Sequence, residues 1–139
     1  MFNLKSVFAK YDKVFFDFKL KSISGDEINL SDYKGKTVLL VNVASRCGFT
    51  KQYDDLQKIW DTYKIKDFVV IGMPSNQFGS QEPGTNEEIK EFCEVNFNIT
   101  FPMTAKLTLK EIMRMKYING HLKITENQLF QNGIFIKYL

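Results

Sequence analysis

The sequence predicts an α/β fold built on parallel β-strands, with a cysteine at one edge of the sheet. Two apolar runs have the composition of strands covered on both faces: Thr37–Val43, which is β-branched and aliphatic apart from Asn42, and the continuous run Phe68–Met73. Between them, apolar residues recur at helical spacing over about residues 51–64. Because a strand, a helix and a strand form a right-handed crossover, the two strands are expected to be parallel neighbours.

The segment before the first buried strand is predicted to form a β-hairpin. Phe15–Ser22 and Glu27–Leu30 both alternate in polarity, and the turn signal Ser24-Gly25-Asp26 separates them. Further along the chain, Thr85 is followed three residues later by a glutamate. This capping-box pattern predicts a helix that runs to about Phe97.

Two segments after this helix are also predicted to form regular secondary structure. Ile99–Met103 is expected to form a further strand, and Thr108–Tyr117 has a helix-forming composition. Ile118–Leu139 has no clear amphipathic period and is not assigned to a layer.

Composition indicates one domain spanning residues 1–139, since 44% of the residues are hydrophobic. The charged residues are scattered and the net charge is only +3, so no nucleic-acid partner is expected. No apolar run is long enough to span a membrane. We expect a cytoplasmic monomer; the alternative is that an N-terminal extension, residues 1–14, targets an organelle.

Cys47 lies between the end of a buried strand and the start of a helix. Open α/β sheets place their chemistry at such positions, and a helix N-terminus favours thiolate over thiol. The alternative is an unreactive buried cysteine. The polar neighbours Ser45 and Arg46 argue against burial, but position alone leaves both interpretations open. The long loop Pro74–Gly84 follows the second strand and should lie at the same edge.

Two blocks of sequence resemble the signatures of glutathione peroxidases. They are Val41–Thr50 (VNVASRCGFT) and Asn76–Gly84 (NQFGSQEPG), and the resemblance extends from about Phe15 to Leu107. It implies a thioredoxin-like fold with a central mixed sheet flanked by helices. It also implies reduction of hydrogen peroxide and lipid hydroperoxides, with Cys47 as the nucleophile and no bound cofactor.

The resemblance assigns roles to two further residues. Gln81 would hydrogen-bond the thiolate or hold the peroxide, because an uncharged amide does so without trapping the sulfur in an ion pair. Cys93 would be a resolving cysteine that condenses with the Cys47 sulfenic acid to form a disulfide. Thioredoxin, or glutathione as the second choice, would then reduce that disulfide. The alternatives are a loop-stabilising Gln81 and a structural Cys93. Trp60 lies outside the family's catalytic pattern and is expected to pack in the core.

Residues 108–139 depart from the family, which has a Trp-Asn-Phe motif in this region. We hypothesise a reading-frame slip, because codon degeneracy allows Leu107–Gly120 to be read as DVKGDNADEIYKW in the shifted frame. In the same frame, the codons allowed for Asn132–Phe135 can encode WNF. The C-terminal part of the fold is therefore expected to be missing or altered, with an open sheet edge and reduced stability and activity.

Three functions are compatible with these residues. The first is a thiol peroxidase, the second a peroxide sensor that relays oxidation to a partner, and the third an inactive product. A general disulfide reductase is disfavoured because the chain has no C-x-x-C motif.

Overall fold

Strand β3 lies at the centre of a three-stranded parallel sheet in the computed structural model. The structure describes residues 15–108 and 110–112 and the backbone of 134–138. In chain order the elements are β1 (Lys19–Lys21), β2 (Glu27–Asn29), β3 (Thr37–Val43), α1 (Gln52–Tyr63), β4 (Phe68–Pro74), α2 (Asn86–Phe97) and β5 (Ile134–Tyr138). Short 3-10 helices occupy Phe15–Asp17 and Leu30–Tyr33.

The crossover predicted from the two apolar runs is confirmed. β3 and β4 are parallel, with Thr37 opposite Phe68 and Val43 opposite Pro74, and α1 connects them. Both strands therefore end at the same edge of the sheet. The Cys47 turn and the loop after β4 leave from that edge.

The side of β3 that faces away from β4 is also paired, so the open sheet edge expected from the altered tail is not observed at this strand. β5 pairs with it in parallel register, placing Ile134 opposite Val38 and Tyr138 opposite Asn42. A strand backbone in the tail satisfies the hydrogen-bonding groups that an open edge would expose. The strands of this sheet are ordered β4-β3-β5, and both pairings are parallel. The strands β1 and β2 pair antiparallel in a separate sheet.

The hairpin and both helices form where the sequence predicts them. The β1–β2 pairing is shorter than the alternating pattern, because Phe15–Asp17 forms a 3-10 turn instead of extending the strand. Thr85 caps α2 through a complete capping box. The Glu88 N–H donates to Thr85 Oγ1 at 3.2 Å, and the Thr85 N–H donates to Glu88 Oε2 at 2.8 Å.

The predicted strand at Ile99–Met103 is wrong. Only a single bridge pairs Met103 with Gly72 of β4, because Pro102 has no N–H to continue a ladder. The carbonyl of Pro102 still accepts the Gly72 N–H at 2.9 Å. Gly72 suits this close approach, since a Cβ there would lie 3.2 Å from the Phe101 ring.

Two apolar clusters pack on the opposite faces of β3 and β4. One cluster includes Phe15, Leu30, Val38, Leu40, Ile71 and Ile112, and the other includes Val41, Val43, Tyr53, Leu56, Ile89 and Cys93. Burying one leucine of this kind contributes about 2 kcal/mol. Trp60 is half-buried against both clusters, which fits the packing role expected for it.

Several predictions fall outside the described residues. They include the N-terminal extension at residues 1–14 and most of the helix predicted at Thr108–Tyr117, of which Lys110–Ile112 is described as helical. Among the helices that the structure describes, none is both long and apolar enough to cross a membrane.

Candidate active site

Cys47 lies in a tight turn between β3 and α1. The Thr50 N–H donates to the Cys47 carbonyl at 3.1 Å, and the Cys47 N–H donates to Thr50 Oγ1 at 3.1 Å. Cys47 is half-buried, and its sulfur accepts the Phe49 N–H at 3.4 Å. This N–H belongs to the turn itself and lies ahead of the first residue of α1.

The loop after β4 approaches the Cys47 turn closely. Gly79 and Ser80 both adopt left-handed backbone conformations, with φ of 65° and 54°, and so reverse the chain just before Gln81. The Arg46 N–H then donates to the Gln81 carbonyl at 3.0 Å. This bond places the half-buried Gln81 beside the residue that precedes Cys47.

Glu82 makes a second link between the same two loops. Its Oε2 accepts the Ser45 N–H at 2.8 Å and the Ser45 hydroxyl at 3.1 Å. Its own N–H donates to Asn76 Oδ1 at 2.9 Å. Sequence reasoning missed Glu82; its position beside Gln81 in the second signature block was the available signal.

The Glu82 carboxyl is almost completely enclosed, with 1% of the residue exposed. Burial raises its pKa above the ordinary value, while the bonds from Ser45 and the nearby charges of Lys106 and Arg46 act in the opposite direction. Lys106 is also bonded to this loop, since its Nζ donates to the Gly84 carbonyl at 2.7 Å. A buried carboxylate held by convergent donors is typical of a site where loop geometry matters.

Cys93 has a very different environment from Cys47. It lies in the middle of α2, is 1% exposed and packs in the cluster that contains Tyr53 and Ile89. Burial raises the pKa of its thiol to about 11, although the adjacent Tyr53 hydroxyl lowers it. The pKa of the Tyr53 hydroxyl is raised as well. Its burial is the main cause, and the negative charge of a Cys93 thiolate would act in the same direction. Both cysteines are free thiols.

A pocket of about 300 Å³ separates the cysteine turn from α2. Ser45, Arg46 and Glu82 form one wall, while Ile89 and Phe92 of α2 form another. Phe92 is the neighbour of Cys93 in the sequence. The pocket therefore borders both the segment just before Cys47 and the helix that carries Cys93, and neither cysteine lines it.

The structure brings Cys47 and Gln81 to one edge of the sheet, as the sequence predicts. It places Cys93 on the buried side of α2, within the apolar core. Within residues 15–108 and 110–112, no three histidine, cysteine, aspartate or glutamate residues are grouped closely enough to hold a metal ion. The catalytic roles of Cys47, Gln81 and Cys93 stay predictions.

Comparison with known proteins points to one family. The family model described as glutathione peroxidase matches residues 15–118. Glutathione peroxidase-like peroxiredoxin 2 of Saccharomyces cerevisiae is 48% identical over 93 residues, which cover 67% of this chain and 57% of that protein. A glutathione peroxidase of Lactococcus lactis is 46% identical over 93 residues, covering 67% and 59%. The chain thus spans less than two thirds of the length of these relatives.

Solved structures agree at the level of the fold. The crystal structure of T. cruzi GPX1 matches with a TM-score of 0.51 and 32% identity, covering 68% of this chain and 56% of that one. A thioredoxin-family thiol:disulfide interchange protein of Chlorobium tepidum matches with a TM-score of 0.57, covering 76% and 68%. At 18% identity, the second match shows the thioredoxin-like fold alone.

Proposed function

The chain belongs to the glutathione peroxidase family, and we propose that it is a thiol peroxidase that reduces hydrogen peroxide and organic hydroperoxides. The observation that supports the proposal is the close approach of the Cys47 turn and the Gln81 loop at the C-terminal ends of β3 and β4. The half-buried Cys47 accepts a backbone N–H on its sulfur, and the Gln81 carbonyl accepts the N–H of Arg46, the residue before Cys47.

In the first step, the Cys47 thiolate attacks one oxygen of the hydroperoxide. The O–O bond breaks, the sulfur becomes a sulfenic acid, and the departing oxygen takes up a proton and leaves as water or an alcohol. Gln81 hydrogen-bonds the thiolate or orients the peroxide. An uncharged amide suits this task because it does not hold the sulfur in an ion pair.

In the second step, the Cys93 thiol condenses with the sulfenic acid. A disulfide forms and water leaves, and a dithiol of the thioredoxin type then reduces the bond by exchange. Glutathione is the second candidate for the reductant. Because Cys93 is buried, and a disulfide requires Cα atoms within about 7 Å, α2 has to open locally before the two sulfurs meet.

The test uses two single variants with hydrogen peroxide as substrate. Cys47→Ser should abolish peroxide consumption. Cys93→Ser should still consume one equivalent of peroxide, but it should not turn over with thioredoxin and thioredoxin reductase. Peroxide consumption that survives in Cys47→Ser would contradict the proposal.

The burial of Cys93 also favours a second candidate function, that of a peroxide sensor. If α2 opens slowly, the Cys47 sulfenic acid persists long enough to react with the thiol of a partner protein. Trapping a mixed disulfide between Cys47 and a partner, in competition with the Cys47–Cys93 bridge, would support this alternative.

A further inference from the structure

The carboxylate of Glu82 is a buried charged group that the proposed chemistry does not use. Burying a carboxylate is costly, and its pKa is raised accordingly. Such a group needs an explanation, because a neutral acceptor would fill the same space at lower cost. Its contacts connect the two loops that carry Cys47 and Gln81.

We propose that Glu82 is a positioning residue whose carboxylate fixes the distance between the Cys47 turn and Gln81, an inference that rests on the proposed peroxidase function. Ser45 and Arg46 are consecutive in one loop, and Gln81 and Glu82 are consecutive in the other. The Arg46 N–H donates to the Gln81 carbonyl, while the Ser45 N–H and hydroxyl donate to Glu82 Oε2. Two adjacent pairs of residues are thus joined directly beside Cys47.

The backbone of Glu82 is held independently of its side chain. Its N–H donates to Asn76 Oδ1 at 2.9 Å, and Lys106 Nζ lies 3.4 Å from its carbonyl oxygen and 2.7 Å from that of Gly84. The side chain therefore extends from a fixed base and sets where the Ser45 end of the turn can lie. A misplacement of about 1 Å is enough to slow an oriented reaction by a factor of about 100.

The charge of the Glu82 carboxylate explains why a glutamate suits this position better than a neutral residue. Hydrogen bonds to a carboxylate are about twice as strong as bonds between neutral groups. The charged groups that act on Glu82 are Arg46 and Lys106, and Glu82 in turn acts on the buried Tyr53 and Cys93. As the pH falls through the raised pKa of Glu82, the bonds from Ser45 weaken, and the bond between the Arg46 N–H and the Gln81 carbonyl is left as the link between the two loops.

The decisive variant is Glu82→Gln, which keeps the shape and one acceptor oxygen but removes the charge. We expect its rate of Cys47 sulfenic acid formation with hydrogen peroxide to fall roughly fivefold to tenfold. Its melting temperature should be unchanged or higher, because no buried charge remains to be desolvated. The pH profile of the rate should lose the step that comes from protonation of Glu82.

Two further variants make the comparison specific. Ser45→Ala removes the hydroxyl bond but keeps the N–H bond, so its rate should lie between those of the wild type and Glu82→Gln. Glu91→Gln is the matched control, because Glu91 is exposed on α2 and its charge is removed in the same way. The control should react at the wild-type rate.

Amide hydrogen exchange tests the positioning role of Glu82 independently of the peroxidase function. Glu82→Gln should speed exchange of the Ser45 and Arg46 amides, whereas Glu91→Gln should not. Unchanged rate and exchange in Glu82→Gln would overturn the positioning role, as would a rate loss matched by a lower melting temperature. A wild-type protein that does not react with peroxide would overturn the peroxidase function, while faster exchange in Glu82→Gln would still support the fixed loop spacing.

Discussion

Gln81 and Glu82 are neighbours in the chain with different tasks at the sheet edge. The Gln81 carbonyl holds the loop against the Arg46 N–H, and the residue itself is half-exposed. The Glu82 side chain points inward and is enclosed. In the roles that we propose, Gln81 acts on the peroxide and Glu82 fixes the loop that carries it.

Replacing the Gln81 amide tests the role that we propose for it. Gln81→Ala should slow Cys47 oxidation by about 10- to 100-fold, because a positioned hydrogen-bonding group near the reacting atoms is lost. Stopped-flow measurement of sulfenic acid formation would record the change. Gln77→Ala, at an exposed position of the same loop, is the control. Equal rates for the two variants would mean that Gln81 only shapes the loop.

The buried thiol of Cys93 should make stability depend on pH in the alkaline range. Its pKa is raised from 9.0 to about 11 in the folded state, so the folded protein retains the proton that the unfolded chain releases. The free energy of unfolding should therefore decrease between about pH 9 and pH 11. Urea unfolding at several pH values would show a steeper decrease for the wild type than for Cys93→Ala. Parallel curves for the two proteins would contradict the prediction.

At the scale of elements, the resolving role that we propose for Cys93 requires α2 to bury this residue at rest and to release it during turnover. Its N-terminus is fixed by the capping box of Thr85 and Glu88. Just beyond the C-terminal end of α2, Thr100 is bonded to Gln57 of α1. The Gln57 side-chain amide donates to Thr100 Oγ1 at 2.8 Å and accepts the Thr100 N–H at 2.9 Å. Opening the helix from its capped end leaves that second attachment intact.

Removing the cap should therefore speed formation of the disulfide. Thr85→Ala should lower stability by about 1 kcal/mol, and disulfide formation should accelerate by up to about fivefold if opening of α2 limits the step. Quenched non-reducing gels would follow the reaction. Lys58→Ala, which breaks an exposed ion pair on α1, is the control and should have no effect on the rate. An unchanged rate in Thr85→Ala would show that opening of α2 does not limit bridging.

Local patterns predicted most elements but could not predict tertiary contacts. The apolar runs of β3 and β4 and the capping box of α2 are each visible within a dozen residues. The bond from Ser45 to Glu82 joins residues 37 positions apart, so only the fold reveals it. Ile99–Met103 has a strand composition, yet Pro102 limits it to one bridge. The strand at Ile134–Tyr138 was missed because its segment has no regular period.

At the scale of the whole molecule, the family match ends at residue 118, and the rest of the tail lies beyond it. Among the tail residues that the structure describes, Ile134–Tyr138 forms a strand that pairs in parallel with β3. A shifted reading frame that restores WNF would place a tryptophan and an asparagine in this segment, as the family pattern requires.

Sequencing the transcript across the codons for Lys106 to Thr108 tests the frame hypothesis. We expect nucleotides that spell DVKG in the shifted frame and WNF further on. A polypeptide corrected to that frame should turn over peroxide about a hundredfold faster. It would regain the tryptophan and asparagine that the family pattern places in the active site with the cysteine and glutamine, and with them hydrogen-bond donors near the reacting atoms. Nucleotides that cannot spell these motifs would rule out the slip, and equal turnover would refute the expected gain.

The most direct measurement is peptide mapping by mass spectrometry under non-reducing conditions, after one equivalent of hydrogen peroxide is added to the reduced protein. A bridge between Cys47 and Cys93 should become the main product. The Cys93→Ser variant should stop at a sulfenic acid on Cys47. Recovery of both cysteines as free thiols, or oxidation of Cys93 with Cys47 unchanged, would contradict the account.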